Sequence, residues 1–175
     1  MSSVLSYDAR TITLHWITAA LIVGLWILGQ TIDDFSKGDP RVFARSLHIT
    51  FGALLGLVLL LRIHRRLRGG TQLPPVGASA LDRIATLTHR LLYVLLIGTL
   101  LLGLTNVWVR GDTLFHLFRV PAFDPASATL RKTVESLHGW CANTLLIVAG
   151  GHAAVALLHH FVLKDDVLGR MLPRR

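Results

Sequence analysis

Four stretches of this sequence contain no Asp, Glu, Lys or Arg: residues 15 to 32, 46 to 61, 91 to 109 and 136 to 163. As a helix, each can cross about 30 Å of hydrocarbon if a few polar residues lie at its ends. At 52% hydrophobic and mean hydropathy +0.55 over 175 residues, the chain is also more apolar than a water-soluble domain of its length needs to be. The spacing of charges predicts an all-α protein, an integral membrane four-helix bundle with helices near 13–32, 46–64, 88–109 and 135–163. "GGTQLPPVGASALD" (69–82) reads as a linker and "RGDTLFHLFRVPAFDPASATLRK" (110–132) as a longer loop. Neither can hold a core of its own and no internal repeat is visible, so residues 1–175 form one domain.

The polar segments set an orientation. The N-terminal segment, second connection and C-terminal tail together carry 11 Lys+Arg against 4 Asp+Glu, whereas the first and third connections carry 7 against 6. Basic residues are retained on the cytoplasmic side, which predicts cytoplasmic N and C termini in a bacterial inner membrane. The net charge of +8 is therefore mostly a topology signal. It does not indicate nucleic acid, because Arg62, Arg65, Arg66 and Arg68 form one short cluster beside a membrane helix with no interleaved aromatics.

The first helix lacks a basic leading region and a small-residue cleavage site, so it is expected to remain in the mature chain. Cys141 is the single cysteine, which excludes an intrachain disulfide, and no C-x-x-C-H is present for covalent haem attachment. Any haem is non-covalent. Trp16, Trp108 and Trp140, at or near helix ends, are read as membrane anchors; Trp26 lies inside its helix, and none of the four is given a redox role.

The apolar segments carry histidines that bundle packing alone does not require. His138 and His152 are 14 residues apart on one predicted helix, which puts them within roughly 40° of one face and about 21 Å apart. They cannot share one ion, but they can serve two sites stacked across the membrane. Helix direction then pairs His48 with His138 near the outer surface and His15 with His152 nearer the cytoplasm. Two imidazoles from separate helices, without thiolate or carboxylate, suit axial ligation of a haem iron better than zinc or calcium. The alternative for each histidine alone is an interhelical hydrogen-bonding role. Gly52, Gly56, Gly150 and Gly151 would let a flat macrocycle approach, although small residues also serve plain helix packing.

"LHW" (14–16), "RSLHITFGALLGLVLLLRI" (45–63), "THRLLYVLLIGTLLLGL" (88–104), the 138/152 spacing and "HH…LKDD" (159–166) resemble the cytochrome b561 family, specifically its small four-helix bacterial branch. The resemblance covers nearly the whole chain. It implies two non-covalent b haems with His15, His48, His138 and His152 as axial ligands, in agreement with the pairing by direction.

Two stacked haems would form an electron path between the outer surface and the inner half of the membrane. At the inner end, His89, His159, His160 and Asp165 are candidates for holding a haem propionate or a ubiquinone that needs two electrons and two protons. At the outer end Arg41, Arg45, Arg131 and Lys132 could draw in an anion or contact lipid phosphate. His64 and His116 are read as solvated. The family resemblance implies a superoxide oxidase, in which superoxide gives electrons to the outer haem and ubiquinone is reduced. A non-catalytic cytochrome b subunit serving a partner dehydrogenase is the second reading, with the 110–132 loop as its docking segment; a haem-handling or structural membrane protein is the third.

Overall fold

The computed structural model describes residues 6–71, 73 and 79–173. Its four long helices are α1 (Ala9–Thr31), α2 (Asp39–Leu67), α3 (Ser79–Arg110) and α4 (Ala128–Leu158). A π turn, His159–Leu163, extends α4, and all four helices are long and apolar enough to cross a membrane. Their starts lie several residues before those predicted, because local capping decides the boundaries and hydrophobicity does not. Asp8 caps α1 by accepting from the Thr11 N–H at 3.1 Å, and Ser127 caps α4 by accepting from the Leu130 N–H at 3.2 Å. At α2, Pro40 occupies the first turn, where its missing N–H costs nothing. α3 begins inside the expected 69–82 linker, whose residues 72 and 74–78 lie outside the described residues.

The helices run up and down, so the N- and C-terminal segments share one end, here termed the terminal end. Tyr7 N–H donates to the Arg170 carbonyl at 3.1 Å, and Trp16 Nε1–H to the Met171 carbonyl at 2.8 Å. Arg65 closes the same end by pairing with Asp8 at 2.7 Å. Midway along the bundle, Leu25, Leu55, Leu59, Leu96 and Leu145 form a buried cluster drawn from all four helices. Leu60, Leu101 and Ile147 point outward, as expected where the surroundings are acyl chains. α1 packs chiefly along α2 and α3 along α4, while the two pairs meet more sparsely. Trp26 on α1 bridges that seam by donating to Asn143 Oδ1 on α4 at 2.8 Å.

The opposite end, the hairpin end, is more ordered than the predicted plain loop. Strands β1 (Thr113–Leu114) and β2 (Phe118–Arg119) pair antiparallel across three residues, with Phe115 and His116 at the centre of a turn that the Leu117 N–H closes on the Leu114 carbonyl at 2.9 Å. Both turn residues have positive φ, 49° and 60°, which a bulky side chain adopts only when neighbours enforce it. The enforcing residue is Ser46, which is fully buried on α2. Its hydroxyl accepts from the Phe115 N–H at 2.9 Å and donates to the Val42 carbonyl at 2.8 Å. Phe43 packs edge-on against Phe115, with ring centres 5.6 Å apart. Gly111 begins the turn out of α3 at φ +69°, and a Cβ there would lie 2.7 Å from that of Ala122.

Candidate functional site

Towards the hairpin end, beyond the leucine cluster, His48 of α2 faces His138 of α4. Their ring centres are 6.2 Å apart and the ring planes cross at 80°. His138 Nδ1 lies 3.1 Å from the Thr99 carbonyl, which can only accept, so Nδ1 carries the proton and Nε2 is left with its lone pair. His48 Nδ1 is buried without a partner of good geometry, although the Leu25 carbonyl is close by. Two glycines make room for these rings. A Cβ at Gly29 on α1 would sit 3.1 Å from His48 Cε1, and one at Gly103 on α3 would sit 3.1 Å from His138 Cε1.

Towards the terminal end, three helices bring a second histidine group together. His152 of α4 and His89 of α3 have ring centres 5.2 Å apart at 66°. His15 of α1 lies within electrostatic reach of both, and also of Arg62 on α2. The close approach of His89 to His152 is tighter than the sequence reading anticipated.

Past this group, in the π turn, His159 Nδ1 meets Asp165 Oδ2 at 2.6 Å. Asp165 Oδ1 also accepts from the Val167 N–H at 3.1 Å. Partial burial would raise the Asp165 carboxyl, but the hydrogen bonds from His159 and Val167 and the charges of His159 and Arg170 outweigh it and hold the group below its ordinary 3.8. The carboxylate is therefore the acceptor and His159 Nδ1–H the donor. His160 is exposed and stacks edge-on with Phe161 at 4.9 Å. It does not join the pair.

Among the basic candidates, Arg41 is not free. It donates to the Asp33 carbonyl at 2.7 Å and the Phe35 carbonyl at 2.8 Å, and pairs with Asp33 at 3.4 Å, so it clamps the α1–α2 turn. Arg45 pairs at 3.5 Å with Asp112, a buried carboxylate that Arg110 also approaches, at 4.0 Å. Arg110 reaches Glu135 at 3.2 Å. Arg131 and Lys132 lie on the first turns of α4, Lys132 exposed and Arg131 half-buried. His116 pairs with Asp39 at 3.3 Å, and His64 is exposed, as expected of solvated residues.

Thr99, Gly29, Gly103, Arg110 and Asp112 were not singled out in the sequence. Only the glycines left a trace: Gly103 and His89, 14 residues apart on α3, lie within roughly 40° of one face.

A family model described as prokaryotic cytochrome b561 matches residues 6–174. The chain belongs to that family. It is 28% identical over 172 residues to a Yersinia pestis protein named probable superoxide oxidase CybB, covering 97% of each chain. It is 30% identical over 170 residues to cytochrome b561 homolog 2 of Escherichia coli (strain K12), covering 95% of this chain and 90% of that one. To cytochrome b562 of Cereibacter sphaeroides it is 29% identical over 174 residues, covering 97% and 96%. It is a bacterial membrane electron-transfer protein of the b type, and membership of the family implies haem b.

The residues present fit such a group. A metal–imidazole bond of about 2 Å puts two axial rings on one iron roughly 6 Å apart between centres, close to the spacing of His48 and His138. Among the described residues no cluster of three or more His, Cys, Asp or Glu could hold a bare ion, and paired imidazoles suit a group that brings its own further donors. Open space adjoins the histidines. A Cβ added at Gly52 or Gly56, one and two turns past His48, or at Gly150 or Gly151 beside His152, would meet nothing within 4 Å.

Proposed function

We propose that this cytochrome b561 family member holds two haems in a bacterial inner membrane, accepts single electrons from superoxide at the hairpin end and delivers them to ubiquinone at the terminal end. His48 and His138 would hold one haem, and His15 and His152 the other. Both termini are cytoplasmic. The observation that carries this reading is the facing of His48 and His138 across the bundle, with a second histidine group beyond the leucine cluster.

When bound, the haems supply a one-electron relay between the two ends. The protein's own residues set access, orientation and protons. The Thr99 carbonyl fixes the His138 tautomer, and the Gly29 and Gly103 backbones leave both rings room to turn. The hairpin end is nearly neutral overall, so attraction of an anionic donor rests on Arg131 and Lys132, on the first turns of the helix that carries His138, with Arg45 and Arg110 held nearby by Asp112 and Glu135. Two superoxide anions leave as two molecules of oxygen. The quinone gains two electrons and takes two protons, for which His159, oriented by Asp165, is the nearest relay; His160 and His89 flank the same end.

Haem extracted and quantified per polypeptide should approach two, and His48→Ala or His138→Ala should each remove one haem while His15→Ala and His152→Ala remove the other. A superoxide pulse should then reduce the isolated wild-type chain, with ubiquinone reoxidising it. A well-folded chain with no haem, or one inert to superoxide, would count against the assignment.

One observation favours a second reading, an electron-transfer subunit for a partner dehydrogenase. The hairpin tip exposes Leu117 by 89% and Phe118 by 60%, an apolar finger suited to docking. Redox activity that appears only when a partner is added would select it.

A further inference from the structure

The arginines at the two ends of the bundle are used differently. At the hairpin end Arg45 and Arg110 are satisfied by Asp112 and Glu135. At the terminal end, Arg62 and Arg66 of α2 form no ion pair among the described residues. Arg66 follows His48 by eighteen residues, about five full turns, and Arg62 is one turn earlier, so both share the helix face that His48 turns inward. The Arg62 guanidinium lies 5.6 Å from the centre of the Tyr93 ring on α3, one turn from His89. Arg62 is in electrostatic reach of His15 and His89, and Arg66 of His89. Two cations thus border the second histidine group, and a π face stands in for an anion at only one of them.

Unpaired guanidinium groups at the edge of hydrocarbon are costly unless an anion meets them. The haem proposed between His15 and His152 brings two carboxylates on one edge. That edge cannot lie toward Leu25, Leu55, Leu59, Leu96 and Leu145, where charge would be stranded, so it must face the terminal end. Two guanidinium groups one turn apart match two carboxylates on short arms.

We infer that Arg62 and Arg66 bind the propionate carboxylates of the haem at the terminal end, with Tyr93 positioning the Arg62 guanidinium. The inference rests on the two-haem reading. Its consequence is electrostatic: the pair holds positive charge beside that haem and raises its potential, because a nearby cation favours the reduced form.

The test is an equilibrium redox titration of the purified full-length holoprotein, with haem counted per chain, for Arg62→Gln, Arg66→Gln, the double variant, Arg62→Lys and Arg68→Gln. Arg68 is exposed and lies just past the last residue of α2, so it controls for loss of surface charge. The wild type should titrate in two one-electron steps. In the Gln variants the step lost in His15→Ala should move to lower potential, or that haem should be lost, while the other step stays in place. Arg62→Lys should restore most of the shift, which a purely structural arginine would not allow. Gln variants that titrate like Arg68→Gln and shed acidic phospholipid instead would assign the pair to lipid headgroups and overturn the inference. A wild type whose single haem survives both His15→Ala and His152→Ala would overturn the two-haem reading itself, and the role of the arginines with it.

Discussion

His138 Nδ1 lies 3.1 Å from the carbonyl oxygen of Thr99, so the backbone of α3 steers a side chain of α4. The approach depends on Gly103, one turn further along α3, where a Cβ would stand 3.1 Å from His138 Cε1. Gly103→Ala should loosen the haem held by His138, and Gly103→Val should eject it, leaving about one haem per chain. Gly29→Val should do the same through His48. Pyridine haemochrome assay per polypeptide measures this, and two haems retained in both Val variants would remove His48 and His138 from the coordination scheme.

His159 and Asp165 act as a pair in the proposed proton relay. Asp165→Asn leaves an acceptor on the side chain but removes the charge that holds His159 in its Nδ1–H form. We expect His159→Ala and Asp165→Asn to slow ubiquinone reduction about tenfold to a hundredfold, within the range of general acid–base contributions. Both haems should stay bound and reducible by dithionite. Unaltered reoxidation kinetics by a quinone analogue in both variants would exclude the pair; His160→Ala, whose ring does not join it, should have the smaller effect.

Asp112 has a pH signature. Burial pushes its carboxyl above the ordinary 3.8, and the charges of Arg110 and Arg45 recover only part of that cost. The folded state therefore binds more protons than the unfolded state between the ordinary and the raised value. Stability is greatest below 3.8, falls as pH rises through the raised value and is level above it. Asp112→Asn should abolish that slope, and because ionisation of the buried carboxyl is what lowers stability, the neutral amide, which keeps an oxygen acceptor for the guanidinium groups, should unfold no more readily than the wild type at neutral pH. Thermal unfolding of the detergent-solubilised chain from about pH 4 to neutrality checks both; a slope unchanged in the variant would assign it to other groups.

Attraction of superoxide by the hairpin end should be visible as a salt effect. Exposed charges are screened over about 8 Å at physiological ionic strength, so the bimolecular reduction rate should fall as salt is added. Arg131→Glu with Lys132→Glu should slow the same step and flatten its salt dependence without altering the haem spectrum. Reduction by a neutral donor is the control. Arg41→Gln should act differently, by loosening the α1–α2 turn that Arg41 clamps, and should lower the thermal midpoint more than it slows the reaction. A superoxide rate indifferent to salt and to charge reversal would favour the docking-subunit reading.

The bundle was legible in the sequence because an ionised side chain in hydrocarbon is so unfavourable that charge-free runs mark the spans directly. The 14-residue interval from His138 to His152 likewise follows from helical periodicity alone, so stacking into two levels needed no coordinates. Helix starts were less legible, since Asp8 and Ser127 set them through single backbone N–H contacts that hydrophobicity does not register. What only the tertiary structure decided are contacts between segments far apart in sequence: the Thr99 carbonyl against His138, His89 against His152, Asp112 drawn under Arg45, and Ser46 holding two residues at positive φ. Arg41 shows the same limit, because its charge was readable but its capture by two backbone carbonyls was not. A residue's type and phase along a helix are local properties, whereas the partner it meets depends on how neighbouring helices rotate and slide against one another, which packing of all four at once determines.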